Sequence, residues 1–272
     1  VQGLAAVDGT HTLQETTGIT LVLLVAVAVR GVTLSGHRTR VLVLPPVDRA
    51  DMLAGDLRTR LELNLLAEQI RHDSTSLVVL DGSLISVYLT LQRLLYRHAT
   101  DQRRYHPDWW STIPDLLDRR SIVQDWLTIL RSPQVIAHPK HVTTRRDIQQ
   151  IAHLLPTPLR SDMVLWSTVL APGECSRLAP LFTQPVRMTG AYWRMSEAER
   201  AAITAAHEPW SRVYARLQTA RPALRLELLE QSNDTLMEKL CTLRNDMGIS
   251  EIMEPLPQYL ADALCRGQGQ VL

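Results

Sequence analysis

Lysine, cysteine and net charge are all scarce in this sequence. Among 29 basic residues only Lys140 and Lys239 are lysines, so arginine carries nearly all the positive charge. A formal net charge of +1 excludes a global basic field, and any site for a polyanion must be a local patch. Cys175, Cys241 and Cys265 are far apart and odd in number. That excludes a disulfide framework and any zinc spacing, and it suits a reducing cytosol. The three read as small, semi-buried hydrophobes. Long apolar runs are missing too: Ile19–Val29 spans 11 residues, where a membrane-crossing helix needs roughly 20. No charged leader with a cleavage site precedes it, so no signal peptide is expected. The chain starts at Val1 and enters a strand at once, from which a missing N-terminal segment is expected.

What is present is the mix of a globular protein, 45% hydrophobic and 21% charged over 272 residues. A single domain over 1–272 is the expectation, cytoplasmic and without membrane association. Gly3–Val7 reads as a short strand ending in Asp8-Gly9-Thr10. Ile19–Arg30 reads as a strand buried on both faces, and Arg38–Leu44 as its hairpin partner after a turn at Gly31–Gly36. Leu53, Leu57, Leu61 and Leu65 recur every fourth residue, the stripe of an amphipathic helix over about Arg49–Arg71. Leu77–Leu80 is a further buried strand, ending in Asp81-Gly82-Ser83. Strand, hairpin, helix and strand in this order open an RNase H-like α/β fold, a mixed sheet flanked by helices. Downstream, helices are predicted at Val87–Tyr96, Ile122–Leu130, Glu197–Ala206, Thr235–Asn245 and Gln258–Cys265. Strands are predicted at Gln134–His138, Met188–Trp193 and Leu224–Leu229.

Asp8 and Asp81 share one setting, AAVDGT and VVLDGS. A carboxylate at a strand exit faces solvent from a fixed backbone, and the following glycine allows a sharp turn and a close phosphate. Magnesium and manganese take hard oxygen ligands and keep several waters, so a few carboxylates suffice. A third ligand is expected from the helix, where Glu62 flanks the leucine stripe and Glu68 falls within it; periodicity slightly favours Glu68. Asp262, between alanines in EPLPQYLADALCR, is a further acidic candidate. Lys140 follows the apolar strand VIAH, placed to contact a phosphate. His138 and His141 flank it, but no second cluster supplies the rest of a zinc shell. Tyr105, Trp109 and Trp110 among Arg103, Arg104 and His106 suit stacking on single-stranded bases or an interface anchor.

With these pieces together the chain resembles the NurA family of nucleases, usually encoded beside the hexameric ATPase HerA. The resemblance rests on AVDGT at Ala6–Thr10, RTRLELNLLAE at Arg58–Glu68 and VVLDGSL at Val78–Leu84. IAHPK, APGECS, LRLELL and EPLPQYLADALCR follow in family order. It implies metal ligands at Asp8, Glu62 and Asp81, with Glu62 rather than Glu68 because the family glutamate lies early in the helix. It implies a role for Lys140, and places Asp262 where many members have His and others Asp. It further implies manganese- or magnesium-dependent cleavage of single- and double-stranded DNA in end processing or antiphage defence, by a homodimer docked on a HerA-type ATPase. Thr10 departs from the usual Ser, and the family's N-terminal helical segment has no counterpart here. The alternative is a catalytically inactive DNA-binding or scaffold subunit of an ATPase complex. Keeping every acidic position favours the nuclease.

Overall fold

In the computed structural model, residues 3–44, 50–73, 76–101, 114–140, 144–154, 158–182, 195–219, 221–229, 233–247 and 254–269 are described. Three long strands, β1 (Leu4–Thr16), β2 (Ile19–Arg30) and β3 (Thr33–Leu44), form an antiparallel meander. Helix α1 (Ala50–His72) crosses to β4 (Leu77–Asp81), which lies parallel to β1. Helices α2 (Leu84–Asp101), α3 (Pro114–Leu117) and α4 (Arg119–Arg131) lead to β5 (Val135–His138), parallel to β4. Then come α5 (Arg146–Ile151), α6 (Asp162–Val169), the two-residue β6 (Ala179–Pro180), α7 (Glu197–His207), β7 (Trp210–Ala215) and β8 (Leu224–Leu229). Helices α8 (Asn233–Asn245) and α9 (Leu256–Gly269) follow. The eight strands form one mixed sheet in the order β3-β2-β1-β4-β5-β8-β7-β6. Its first five positions, with β2 alone reversed against β1, β3, β4 and β5, are the RNase H-like arrangement anticipated from the sequence.

Two faces of this sheet are covered by different helices. Leu53, Leu57, Leu61 and Leu65 of α1 are buried against Val7, Val22, Leu24, Ala26 and Leu80. On the opposite face Leu236, Leu240 and Leu243 of α8 cover Leu4, Ala6, Val79 and Ile136. Ala261 and Cys265 of α9 cover Leu23, Val25, Val27 and Val29. β2 is therefore apolar on both sides because α1 lies over one and α9 over the other. Each fully buried Leu or Val in these layers contributes roughly 1.5–3 kcal/mol. Of the cysteines, Cys265 is buried as expected and Cys175 half-buried, but Cys241 is exposed.

The structure corrects several local readings. β1 does not end before Asp8: it runs on through Gly9 to Thr16, because β2 pairs with it along its whole length, Thr16 opposite Ile19. The β2–β3 turn is two residues, with β3 starting at Thr33. β7 was not anticipated, since WSRVYA carries Ser211 and Arg212 in a buried strand and shows no clean alternation. The strand predicted at Met188–Trp193 lies outside the described residues.

Candidate functional site: carboxylates of β1, β4 and α1

Parallel pairing ends with Val7 opposite Leu80, so the next residues in line, Asp8 and Asp81, stand abreast on β1 and β4. Asp81 is in turn paired with His138, the last residue of β5. Gly82 follows Asp81 at φ 112°, a conformation that a side chain disfavours, and turns the chain out of the sheet. Gly9 has a different task. It is mid-strand, and a methyl built on it would meet Glu62 Cγ at 2.7 Å and Cδ at 2.9 Å, with Oε1 closer still. The missing side chain thus makes room for a carboxylate arriving from α1. Glu62 is buried, and Arg58 one turn earlier pairs with its Oε1 at 3.2 Å. Glu68 is elsewhere, paired with Arg38 of β3 and close to His72.

Burial and mutual repulsion act together on these acids. Burial, then the neighbouring Asp81, raises Asp8 to about 7, even though the Gly9 amide and Lys140 pull the other way. Glu62 rises to about 8, first through burial and then through Asp8 and Asp81, with Arg58 opposing. Lys140, just past β5, reaches back to Asp81 Oδ2 at 2.9 Å and Glu254 at 2.8 Å, with Asp262 Oδ2 at 3.9 Å. Burial alone would lower the Lys140 pKa, but its bonds to Glu254 and Asp81 outweigh it and leave it raised. Asp262 is also held by Arg266, one turn along α9.

These side chains surround an open cleft of about 500 Å³ whose walls include Asp8, Thr10, Arg58, Asp81, Lys140 and Asp262. Glu62 lies behind Gly9 rather than on the wall. A slightly larger cavity, about 560 Å³, lies beside β6 and β7 around Leu165, Trp166 and Tyr214; it is mainly apolar and holds none of these carboxylates. Among the described residues no group of three His, Cys, Asp or Glu side chains is arranged to hold a metal ion. The donor set nevertheless fits a hard divalent cation: the carboxylates of Asp8 and Glu62 are buried beside Asp81, and burial with that neighbouring charge raises both their pKa values. Tyr105, Trp109, Trp110 and His141, with the arginines around the tryptophans, lie outside the described residues.

No protein-family model matches the sequence, and no curated protein matches it significantly. Solved structures do match. The NurA nuclease from Sulfolobus solfataricus superposes with a TM-score of 0.66 at 14% identity, over 99% of this chain and 82% of that one. The chain has the NurA fold. A NurA structure bound to dAMP and manganese gives a TM-score of 0.60 at 10% identity, over 96% and 83% of the two chains. A NurA structure with manganese gives 0.56 at 11% identity, over 97% and 82%.

Within that fold, three residues missed by sequence reasoning join the site. Glu254 precedes α9 and holds Lys140. Its setting, just before Pro255, carries no periodic signal. Glu227 on β8 is fully buried, accepts hydrogen bonds from the Leu84 amide at 2.8 Å and from Ser83 Oγ, and pairs with Arg225 at 2.7 Å. It thereby fastens the turn after Asp81 and the start of α2 to β8. Two charges alternating with leucines in LRLELL were the available signal. The third, Gln258, is fully buried and bonds both Asp81 and His138.

Proposed function

We propose that this chain is a metal-dependent DNA nuclease that hydrolyses phosphodiester bonds. One observation carries the reading: Asp8 and Glu62 are buried beside Asp81, a gathering of like charges that is unfavourable unless a cation compensates. The resemblance in sequence motifs and the manganese- and dAMP-bound NurA neighbour support the choice of manganese or magnesium. Asp8, Glu62 and Asp81 would hold the metal, with Asp262 at the edge of the set. A bound pair of such ions would supply an activated water and stabilise the leaving oxygen of the phosphodiester.

The chain's own residues do the rest. Lys140, anchored by Glu254 and Asp81, places its ammonium on the cleft wall where a phosphate would sit. Arg58 and Arg266 line the same cleft and offer planar donors to flanking phosphates. Thr10 and Ser86 add hydroxyl donors along the wall. Gly82, lacking a side chain, leaves the strand exit open to a backbone.

Purified protein incubated with end-labelled single- and double-stranded DNA should cleave both with Mn²⁺ and neither with EDTA. Asp8→Ala and Asp81→Ala should abolish cleavage while circular dichroism stays unchanged. Near-normal manganese-dependent cleavage by either variant would overturn the assignment. A homodimer docked on a HerA-type ATPase, working in end processing or antiphage defence, is the physiological setting we infer from the resemblance. Co-expression with such an ATPase, followed by size exclusion with light scattering, should give a complex; a strict monomer that never co-elutes would remove that setting.

A further inference from the structure

Asp81 is gripped on both oxygens. Lys140 takes Oδ2, while Oδ1 accepts a hydrogen bond from Gln258 Nε2 at 3.1 Å. The other end of the same carboxamide, Oε1, lies 2.9 Å from His138 Nδ1. Gln258 is fully buried and His138 nearly so. The direction of this chain of bonds follows from chemistry. A carboxylate only accepts, so Gln258 must turn its amino group toward Asp81 and its carbonyl oxygen toward the imidazole. His138 must then carry a hydrogen on Nδ1 and donate it. Burial, which disfavours an imidazolium, is consistent with a neutral ring in that tautomer.

The sequence of contacts links three elements. His138 ends β5, Asp81 ends β4, and Gln258 belongs to the first turn of α9. His138 and Asp81 are register partners, so one glutamine side chain bridges two adjacent strand ends from the covering helix. Gln258, Asp262 and Arg266 recur every fourth residue along one side of α9, where Asp262 and Arg266 line the cleft and Gln258 is buried beneath it, with Glu254 just before the helix. Ala261 and Cys265 put the neighbouring face onto β2.

The geometry points to Gln258 as a positioning residue for the nuclease reaction: it fixes the rotation of the Asp81 carboxylate and, through His138, locks its own orientation. This inference rests on the nuclease reading and adds to it a residue outside the acidic set. Loss of such a hydrogen-bond partner behind a metal ligand lowers metal affinity or activity about 10- to 100-fold.

The test measures Mn²⁺ binding without DNA, by the loss of the free Mn²⁺ electron paramagnetic resonance signal, beside kcat and KM for DNA. Gln258→Met keeps the side-chain length and removes both bonds. Its Kd for Mn²⁺ should rise about 10- to 100-fold and kcat should fall, with KM for DNA unchanged. A folded Gln258→Met protein that binds Mn²⁺ as the unmodified chain does would overturn the proposal. Should that variant fail to fold, His138→Phe decides, because it keeps the ring volume but frees the carboxamide to rotate. Its Kd should rise about tenfold, and an unchanged Kd would overturn the proposal equally. Absence of any Asp8-dependent Mn²⁺ binding in the unmodified chain would instead overturn the nuclease reading itself, an outcome distinct from unchanged binding in the variants.

Discussion

A glycine in the middle of a strand ordinarily weakens it, since it adds entropy to the unfolded chain and packs nothing. Gly9 is kept for the space it leaves to Glu62. Its backbone has no positive φ, so alanine would fit the strand and strain only the carboxylate facing it. Gly9→Ala should therefore behave like Glu62→Gln, each lowering Mn²⁺ affinity or rate by about 10-fold or more with little loss of fold. Glu68→Gln should cost under about 1 kcal/mol of stability and leave the rate alone, because its partner Arg38 is a partly exposed strand residue. Matched kinetics of the three variants check this; an active Gly9→Ala protein would show that Glu62 has another place to go. Lys140 offers a second contrast. Removing one charge contact to a developing transition state costs roughly 2–4 kcal/mol in barrier. Lys140→Ala should slow turnover by that amount, yet bind Mn²⁺ as tightly or more tightly, since a cation 2.9 Å from Asp81 has left. Weaker Mn²⁺ binding in calorimetry, with the rate restored at saturating metal, would make Lys140 a support for the ligands instead.

At the scale of elements, α1 must be held firmly because it delivers Glu62 from the far side of the sheet. Its anchor is Asp125 on α4, which accepts bonds from Arg60 at 2.8 Å, Asn64 at 3.0 Å and Arg71 at 2.9 Å. Arg60 is almost wholly buried, so Asp125→Ala would strand a guanidinium in the interior. The expected cost is about 3–5 kcal/mol, read as a lower urea midpoint with unchanged slope. A loss below about 1 kcal/mol would mean that apolar packing alone docks α4. Elements whose residues obey one period were legible: β2, α1, β4 and β5 each bury an uninterrupted apolar face. Asp8 and Asp81 were legible for the same reason, as acids closing apolar strands, although β1 proved to continue past Asp8. β7 was not legible, because Arg212 is buried through its bond to Asp147 on α5, a partner 65 residues away. Glu254 and Gln258 were illegible likewise: nothing in their local spacing marks them until Lys140, Asp81 and His138 are brought beside them by the fold.

For the whole molecule these buried acids make stability depend on pH in an uncommon direction. Asp8, at about 7, and Glu62, at about 8, sit above the ordinary carboxylate range. The folded chain therefore holds protons that the unfolded chain has released between roughly pH 4 and 8. Stability from these groups is complete below the unfolded value and is lost as pH rises through the folded one. Other buried groups act oppositely outside a central window. His207, lowered to about 4 by burial, favours unfolding only below the ordinary histidine value near 6.5. Lys239, lowered to about 8, adds stability only as pH climbs beyond that value. Between about pH 6.5 and 8 the carboxylates dominate, and the metal-free protein should lose up to about 1.4 kcal/mol per pH unit for each proton released. Mn²⁺ should reverse the trend, because it competes with protons for the same oxygens and its stabilisation grows as they ionise. Thermal unfolding at pH 6.5, 7.2 and 8, with EDTA and with Mn²⁺, measures both slopes. Asp8→Asn, which cannot ionise, should flatten the metal-free slope. A metal-free Tm that rises across this window, or a Mn²⁺ increment independent of pH, would mean that these acids are not the groups that take up the cation.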